Sequence, residues 1–184
     1  MERGKLIILS GPSGVGKGTV RIALMERKEL RLFYSVSMTT RPIRPGEKEG
    51  REYYFVTKPE FQQKLAEGNF LEWNEFVGNY YGTPRDKVEQ KRDEGFNVLL
   101  EIDVNGAREV MEKCPDAITI FLTPPSLDVL ENRIRGRRTE EESVIQERLS
   151  KAEAELAQAP LYKYRVCNGE VEKAADEIAK IILS

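Results

Sequence analysis

The chain contains no histidine among its 184 residues. Ser-His and Cys-His catalysis, histidine metal sites and histidine proton shuttles are thereby excluded. Whatever chemistry it performs must run on Lys, Arg, Asp, Glu, backbone groups and bound ions. Cysteine is scarce: Cys114 and Cys167 are the only two. Two thiols make no disulfide framework and read as reduced groups of a cytosolic protein. The apolar run near the N-terminus spans only residues 6–9, too short for a signal-peptide core or a membrane span. Neither sign of charge dominates. Lys and Arg number 29 against 31 Asp and Glu, a net charge of −2, so no overall basic field exists to hold nucleic acid. Repeats and low-complexity tracts are missing as well. These absences predict a cytoplasmic chain that engages neither membrane nor nucleic acid. They leave its oligomeric state open.

What is present is globular in balance, 40% hydrophobic and 33% charged, at a length that suits one domain. Residues 5–10 (KLIILS) read as a buried strand, and residues 19–27 carry helical spacing with Val20, Ala23 and Leu24 on one stripe. Residues 33–36, 53–56 and 70–76 read as strands, with a short helix beginning near Pro59. Residues 39–50 are rich in Pro, Gly and charge and read as irregular, and residues 78–82 (GNYYG) read as a turn. Apolar strands return at 96–102, 117–122 and 164–167, alternating with helices at 85–94, 105–113, 127–135, 144–159 and 171–183. Residues 136–142 are charged and glycine-bearing. Strand–helix alternation at both ends predicts an α/β fold with a parallel sheet core. The interruption between about 35 and 85 predicts an inserted small lobe.

The first chemical motif is residues 11–19, Gly11, Pro12, Ser13, Gly14, Val15, Gly16, Lys17, Gly18 and Thr19. Gly11, Gly16 and Lys17 fit the GxxxxGK core of a phosphate-binding loop, with a strand before it and a helix after. Backbone N–H groups and a helix N-terminus cradle phosphate oxygens, and the lysine brings a point charge to the β- and γ-phosphates. Where a hydroxyl residue ordinarily follows the lysine, this chain has Gly18. That leaves Mg²⁺ to phosphates and water, which suits an ion that dehydrates reluctantly. Residues 103–106 match a DxxG switch motif, but no Asn-Lys-x-Asp base-reading motif exists anywhere, so the match is chance. Asp103 at the end of a buried strand still suits an acid near magnesium, held through water.

At this point the sequence resembles the guanylate kinase family. The resemblance runs over nearly the whole chain, in the segments GPSGVGKGT, SVSMTTRPIRPGEKEGREYYF, FLEWNEFVGNYYGTP, LLEIDVNGA and RIRGRRTEEESVIQERL. It implies a P-loop parallel sheet flanked by helices, with an inserted GMP-binding lobe at about 35–84 and a helical lid at about 126–159. The core is then about 1–34, 85–125 and 160–184. It also implies ATP and GMP as substrates, Mg²⁺ as cofactor, and transfer of the γ-phosphate to GMP or dGMP.

Residue by residue, the resemblance assigns Ser37, Arg41, Arg44, Tyr53 and Tyr81 to the GMP phosphate, where a dianion needs forked guanidiniums and hydroxyl donors. It assigns Glu72 and Thr83 to the base: a carboxylate takes guanine N1–H and N2–H₂, and a hydroxyl donates to O6. Glu101 and Asp103, two apart on a strand and so on one face, fall beside GMP and the magnesium-phosphate centre. Asp103 also has the position of a helix cap. Arg133, Arg137 and Arg148 match the lid arginines that neutralise the transferring group, and Asn168 matches the adenine-side position. Two departures stand out: Arg138 where the family usually has glycine, and Gly169 where an acid is common. The acidic run 140–142 reads as solvating the lid surface. Two competing readings remain. One is a kinase for another nucleotide. The other is a phosphopeptide-binding module, which the lysine of the loop and the arginines argue against.

Overall fold

The computed structural model describes residues 1–136 and 140–184. Arg137 and Arg138 therefore lie outside the described residues. The core is a five-stranded, wholly parallel sheet of β1 (Leu6–Ser10), β2 (Leu32–Tyr34), β7 (Asn97–Glu101), β8 (Ile118–Thr123) and β9 (Tyr164–Cys167), in the order β2-β7-β1-β8-β9. Every residue of β1 is buried, as a strand covered on both faces must be. Its side chains divide by parity. Ile7 and Leu9 join Leu99, Ile120 and Leu122 under α1 (Lys17–Met25) and α7 (Val171–Leu183). Leu6 and Ile8 join Val98, Leu100 and Phe121 under α3 (Arg85–Asp93) and α4 (Val104–Lys113). The parallel α/β expectation therefore holds, and α7 supplies its apolar stripe through Ala174, Ala175, Ile178 and Ile182. Truncating a fully buried member such as Leu24 to alanine costs about 2–5 kcal/mol.

Between β2 and α3 the chain builds a second sheet. It is formed by β3 (Met38–Thr39), β4 (Tyr54–Phe55), β5 (Phe70–Phe76) and β6 (Asn79–Pro84), in the order β4-β3-β6-β5. The helix α2 (Lys58–Ala66) packs Phe61 onto Phe70 with ring centroids 4.3 Å apart and onto Tyr80 at 5.4 Å. The GNYYG segment is mostly not a turn. Residues 79–84 pair antiparallel with β5 as a strand, and the reversal is confined to Val77 and Gly78, with φ of 50° and 77°. Two consecutive positive φ values make the hairpin turn that matches strand twist. The tyrosines behind it satisfy strand pairing instead. They carry the aromatic bulk that a small sheet needs to bury.

Two features position the site. The sheet order places β7 and β8 on opposite sides of β1, and ligands of open parallel sheets bind at such a switch point, beyond the carboxyl ends of the strands. The helix α4 also grips the second sheet: Lys113 Nζ donates to the carbonyls of Phe70 and Leu71, each at 3.1 Å, and Trp73 N donates to Glu109 Oε2 at 3.3 Å. Beyond β8, α5 (Leu127–Arg135) and α6 (Glu142–Leu156) pack on each other through Leu130, Ile134, Ile145 and Ala152.

Candidate active site

The loop after β1 takes the form of an anion cradle. Gly14 and Gly16 have φ of 86° and 95°, a backbone that glycine adopts without penalty. Gly16 caps α1, which has neither a capping side chain nor an acid in its first turn. Its orphan N–H groups are thus left to an outside acceptor. The loop is clamped from three directions. A Cβ on Gly14 would lie 3.0 Å from Ile134 Cγ1, and one on Gly16 would lie 2.8 Å from Asn168 Nδ2. Val15 O accepts from Asn168 Nδ2 at 2.7 Å and from Arg133 Nη1 at 3.0 Å, while Ser13 N donates to Glu155 Oε1 at 3.3 Å. Lys17 Nζ donates to Gly11 O at 2.8 Å. Burial lowers the lysine's pKa, opposed by the negative fields of Glu155, Glu101 and Asp103.

Beside the loop, β7 ends in Glu101. Asp103 N-caps α4, with Oδ1 accepting from Gly106 N at 2.8 Å. The capping role read from the sequence is thus present, and it explains the chance DxxG match: the glycine is the third residue past the cap. Glu101 Oε1 accepts from Arg21 Nε at 2.8 Å. Neither acid belongs to a protein cluster able to cage a metal, since no group of three potential ligands occurs among the described residues. Two acids with spare oxygens next to a phosphate cradle would suit an ion that keeps its waters.

In the second sheet, Glu72 and Thr83 face each other across β5 and β6, and Thr83 Oγ1 donates to Glu72 Oε1 at 2.7 Å. Thr83 is buried and Glu72 half-buried. Burial pushes the Glu72 carboxyl up to about 7; the Thr83 hydrogen bond and Lys113 oppose this, and the charges of Asp103 and Glu109 add to it. Gly106 makes room for the carboxylate, because a Cβ there would lie 3.1 Å from Glu72 Oε2. The single hydroxyl proton of Thr83 is committed to Glu72, so donation to an incoming carbonyl requires that bond to be exchanged.

Around the same lobe, Tyr53 packs edge-on against Tyr81 with ring centroids 5.9 Å apart. Arg41 lies over the Tyr53 ring at 5.2 Å and donates both terminal nitrogens to Glu47 at 2.9 Å. That pairing holds the Glu47 carboxyl down to about 2 and presets the guanidinium plane. Ser37 is half-buried beside β3, and Arg44 is exposed with its backbone N–H donating to Glu47 Oε1 and its carbonyl accepting from Glu47 N.

The remaining predicted groups are placed less simply. Arg133 donates to Val15 O and, at 3.3 Å, to Asn168 O, so it braces the phosphate loop from α5. Arg148 pairs with Glu140 at 3.1 Å, and Glu142 pairs with Arg135 at 2.7 Å. The acidic run is therefore engaged with arginines, because α5 and α6 meet at that end. Asn168 is 3% exposed, its amide nitrogen on the loop and its Oδ1 buried without a partner among the described residues. Arg137 lies outside the described residues. Sequence reasoning missed Arg21, Glu47 and Glu155. Arg21 had one signal, its position a helical turn beyond Lys17; Glu155 had none, being 142 residues from Ser13.

Comparison with known proteins agrees with this geometry. A family model described as guanylate kinase matches residues 3–184. Guanylate kinases of Latilactobacillus sakei and Enterococcus faecalis are each 53% identical over 183 residues, covering 100% of this chain and 90% of theirs. The crystal structure of guanylate kinase from Anaplasma phagocytophilum superposes with a TM-score of 0.74 at 36% identity, covering 100% of this chain and 86% of that one. A phosphate loop at a switch point and a half-buried carboxylate in an appended sheet thus occur in a chain that belongs to the guanylate kinase family.

Proposed function

We propose that this nucleoside monophosphate kinase transfers the γ-phosphoryl group of ATP reversibly to GMP, and to dGMP, with Mg²⁺, in the cytoplasm. The observation that carries the acceptor's identity is Glu72. A half-buried carboxylate whose one hydrogen-bond donor among the described residues is Thr83 is short of donors. Guanine supplies two in a row, N1–H and N2–H₂. When they pair with Glu72, Thr83 is released to donate to O6. Adenine offers no N1–H and would meet the carboxylate with lone pairs opposed.

In this reading the chain works as a core, a GMP lobe at about 35–84 and a lid at about 126–159. Residues 11–19 and Lys17 hold the donor phosphates, with Asn168 on the adenine side. Ser37, Arg41, Arg44, Tyr53 and Tyr81 hold the acceptor phosphate, and the Glu47 fork keeps Arg41 in plane for it. Arg133, Arg137 and Arg148 neutralise charge on the equatorial oxygens as the lid closes. Glu101 and Asp103 are the groups that would hold Mg²⁺ through water, where the ion supplies charge neutralisation between the phosphates. Alignment of the acceptor oxygen with the γ-phosphorus and exclusion of water account for the catalysis, without a covalent intermediate.

The test is a coupled ADP-release assay offering GMP, dGMP, AMP, UMP and CMP. Turnover confined to GMP and dGMP supports the assignment; comparable turnover of AMP removes Glu72 from base selection.

A further inference from the structure

Arg21 is used neither by the phosphate loop motif nor by the assignments above. It lies on α1 one helical turn after Lys17, so the two cations share a face. Its Nε is bonded to Glu101 Oε1 at 2.8 Å, with the two side chains 27% and 22% exposed. Its guanidinium covers the Tyr34 ring, 4.5 Å from the centroid, which fixes its plane. The pair abuts position 18. A Cβ built on Gly18 would lie 3.9 Å from Glu101 Oε1 and 4.0 Å from Arg21 Nη2. This ion pair therefore borders the space that a hydroxyl side chain would otherwise enter.

The lysine beside it has a carbonyl for its partner and not an acid. Lys17 feels the negative fields of Glu155, Glu101 and Asp103, yet its ammonium donates to Gly11 O at 2.8 Å and pairs with no carboxylate among the described residues. Arg21 holds Oε1 of Glu101. A Lys17–Glu101 ion pair would have to be broken before the lysine could meet phosphate.

We propose that Arg21 is a positioning residue: it holds Glu101 away from Lys17 and so keeps the loop lysine available to the donor phosphates. The inference rests on the donor-site reading above but not on which acceptor is used. Without Arg21, Glu101 turns to Lys17 and competes with phosphate as an internal anion. With Glu101 also neutralised, the competition disappears.

The experiment is a double-mutant cycle on ATP binding, measured by calorimetry without GMP or added metal, for wild type, Arg21→Met, Glu101→Gln and the double variant. Methionine keeps the apolar stem against Tyr34. Arg21→Met should weaken ATP about tenfold, a coupling typical of neighbouring charges. The double variant should bind like Glu101→Gln alone, and Arg21→Lys should stay near wild type. A loss of equal size in the Glu101→Gln background would mean that Arg21 meets phosphate directly and would overturn the proposal, as would no loss at all. Should Arg21→Met melt early, Arg21→Gln runs the same cycle. If wild type itself fails to bind ATP, the donor-site reading falls; if ATP binds and the cycle is additive, only the role of Arg21 falls.

Discussion

Glu72 offers a quantitative test because its environment works against the charge that the acceptor needs. Its carboxyl is raised to about 7 from an ordinary 4.5. That difference is worth about 3 kcal/mol against the ionised form. In the proposed reading guanine's two donors pair with the two carboxylate oxygens only when the group is ionised, so GMP binding would expel the proton. At pH 6 about a tenth of the empty sites are ionised, and the GMP dissociation constant should be about tenfold weaker than at pH 8. The phosphate of GMP titrates near pH 6 as well. Glu72→Gln is the control: it keeps that second slope and loses the first.

At pH 8 the substitution removes one acceptor and the charge, and should weaken GMP by about 1.5–3 kcal/mol. AMP should change little, so the GMP/AMP ratio of kcat/KM narrows. Stability should move the other way. A carboxyl whose folded pKa exceeds its unfolded value holds its proton better in the folded state. Its charge therefore costs stability progressively as pH rises from 4.5 to about 7. Glu72→Gln should then melt several degrees higher than wild type at pH 8 without ligand, with the gap closing near pH 5. Calorimetric titration across pH with parallel thermal melts reads both. An unchanged GMP/AMP ratio, or equal pH slopes in the two proteins, refutes the reasoning.

Lys17→Met should abolish transfer while GMP still binds, because the proposed reading puts the donor phosphates on the core and the acceptor on the second sheet; equal loss of GMP affinity in a calorimetric titration would contradict that separation. Gly106→Ala places a Cβ 3.1 Å from Glu72 Oε2 and should raise KM for GMP several-fold with KM for ATP unchanged, measured by steady-state kinetics. Gly16→Ala meets both φ of 95° and an atom at 2.8 Å; it should cost about 1–3 kcal/mol of stability, read by urea unfolding, and weaken ATP. Arg137→Ala should lower kcat more than it raises KM for GMP, since the charge it meets develops during transfer.

Elements whose information is local could be read from the order of residues alone. The apolar run of β1, the glycine spacing of the phosphate loop and the stripe of α7 are each written within a few residues, because strand and helix periodicities are short-range. Acids at the end of β7 were legible for the same reason. Tertiary structure decided which charges meet. GNYYG reads as a turn by composition and becomes a strand because β5 offers a pairing edge. The Thr83–Glu72 bond exists through hairpin register. Arg21 and Glu101, 80 residues apart, meet only because β7 pairs with β1 beneath α1. Arg133 and Glu155 reach the phosphate loop because α5 and α6 pack across it. Periodicity tells a side chain which face it occupies, but its partner depends on register, sheet order and helix placement, which arise from burial summed over the whole chain.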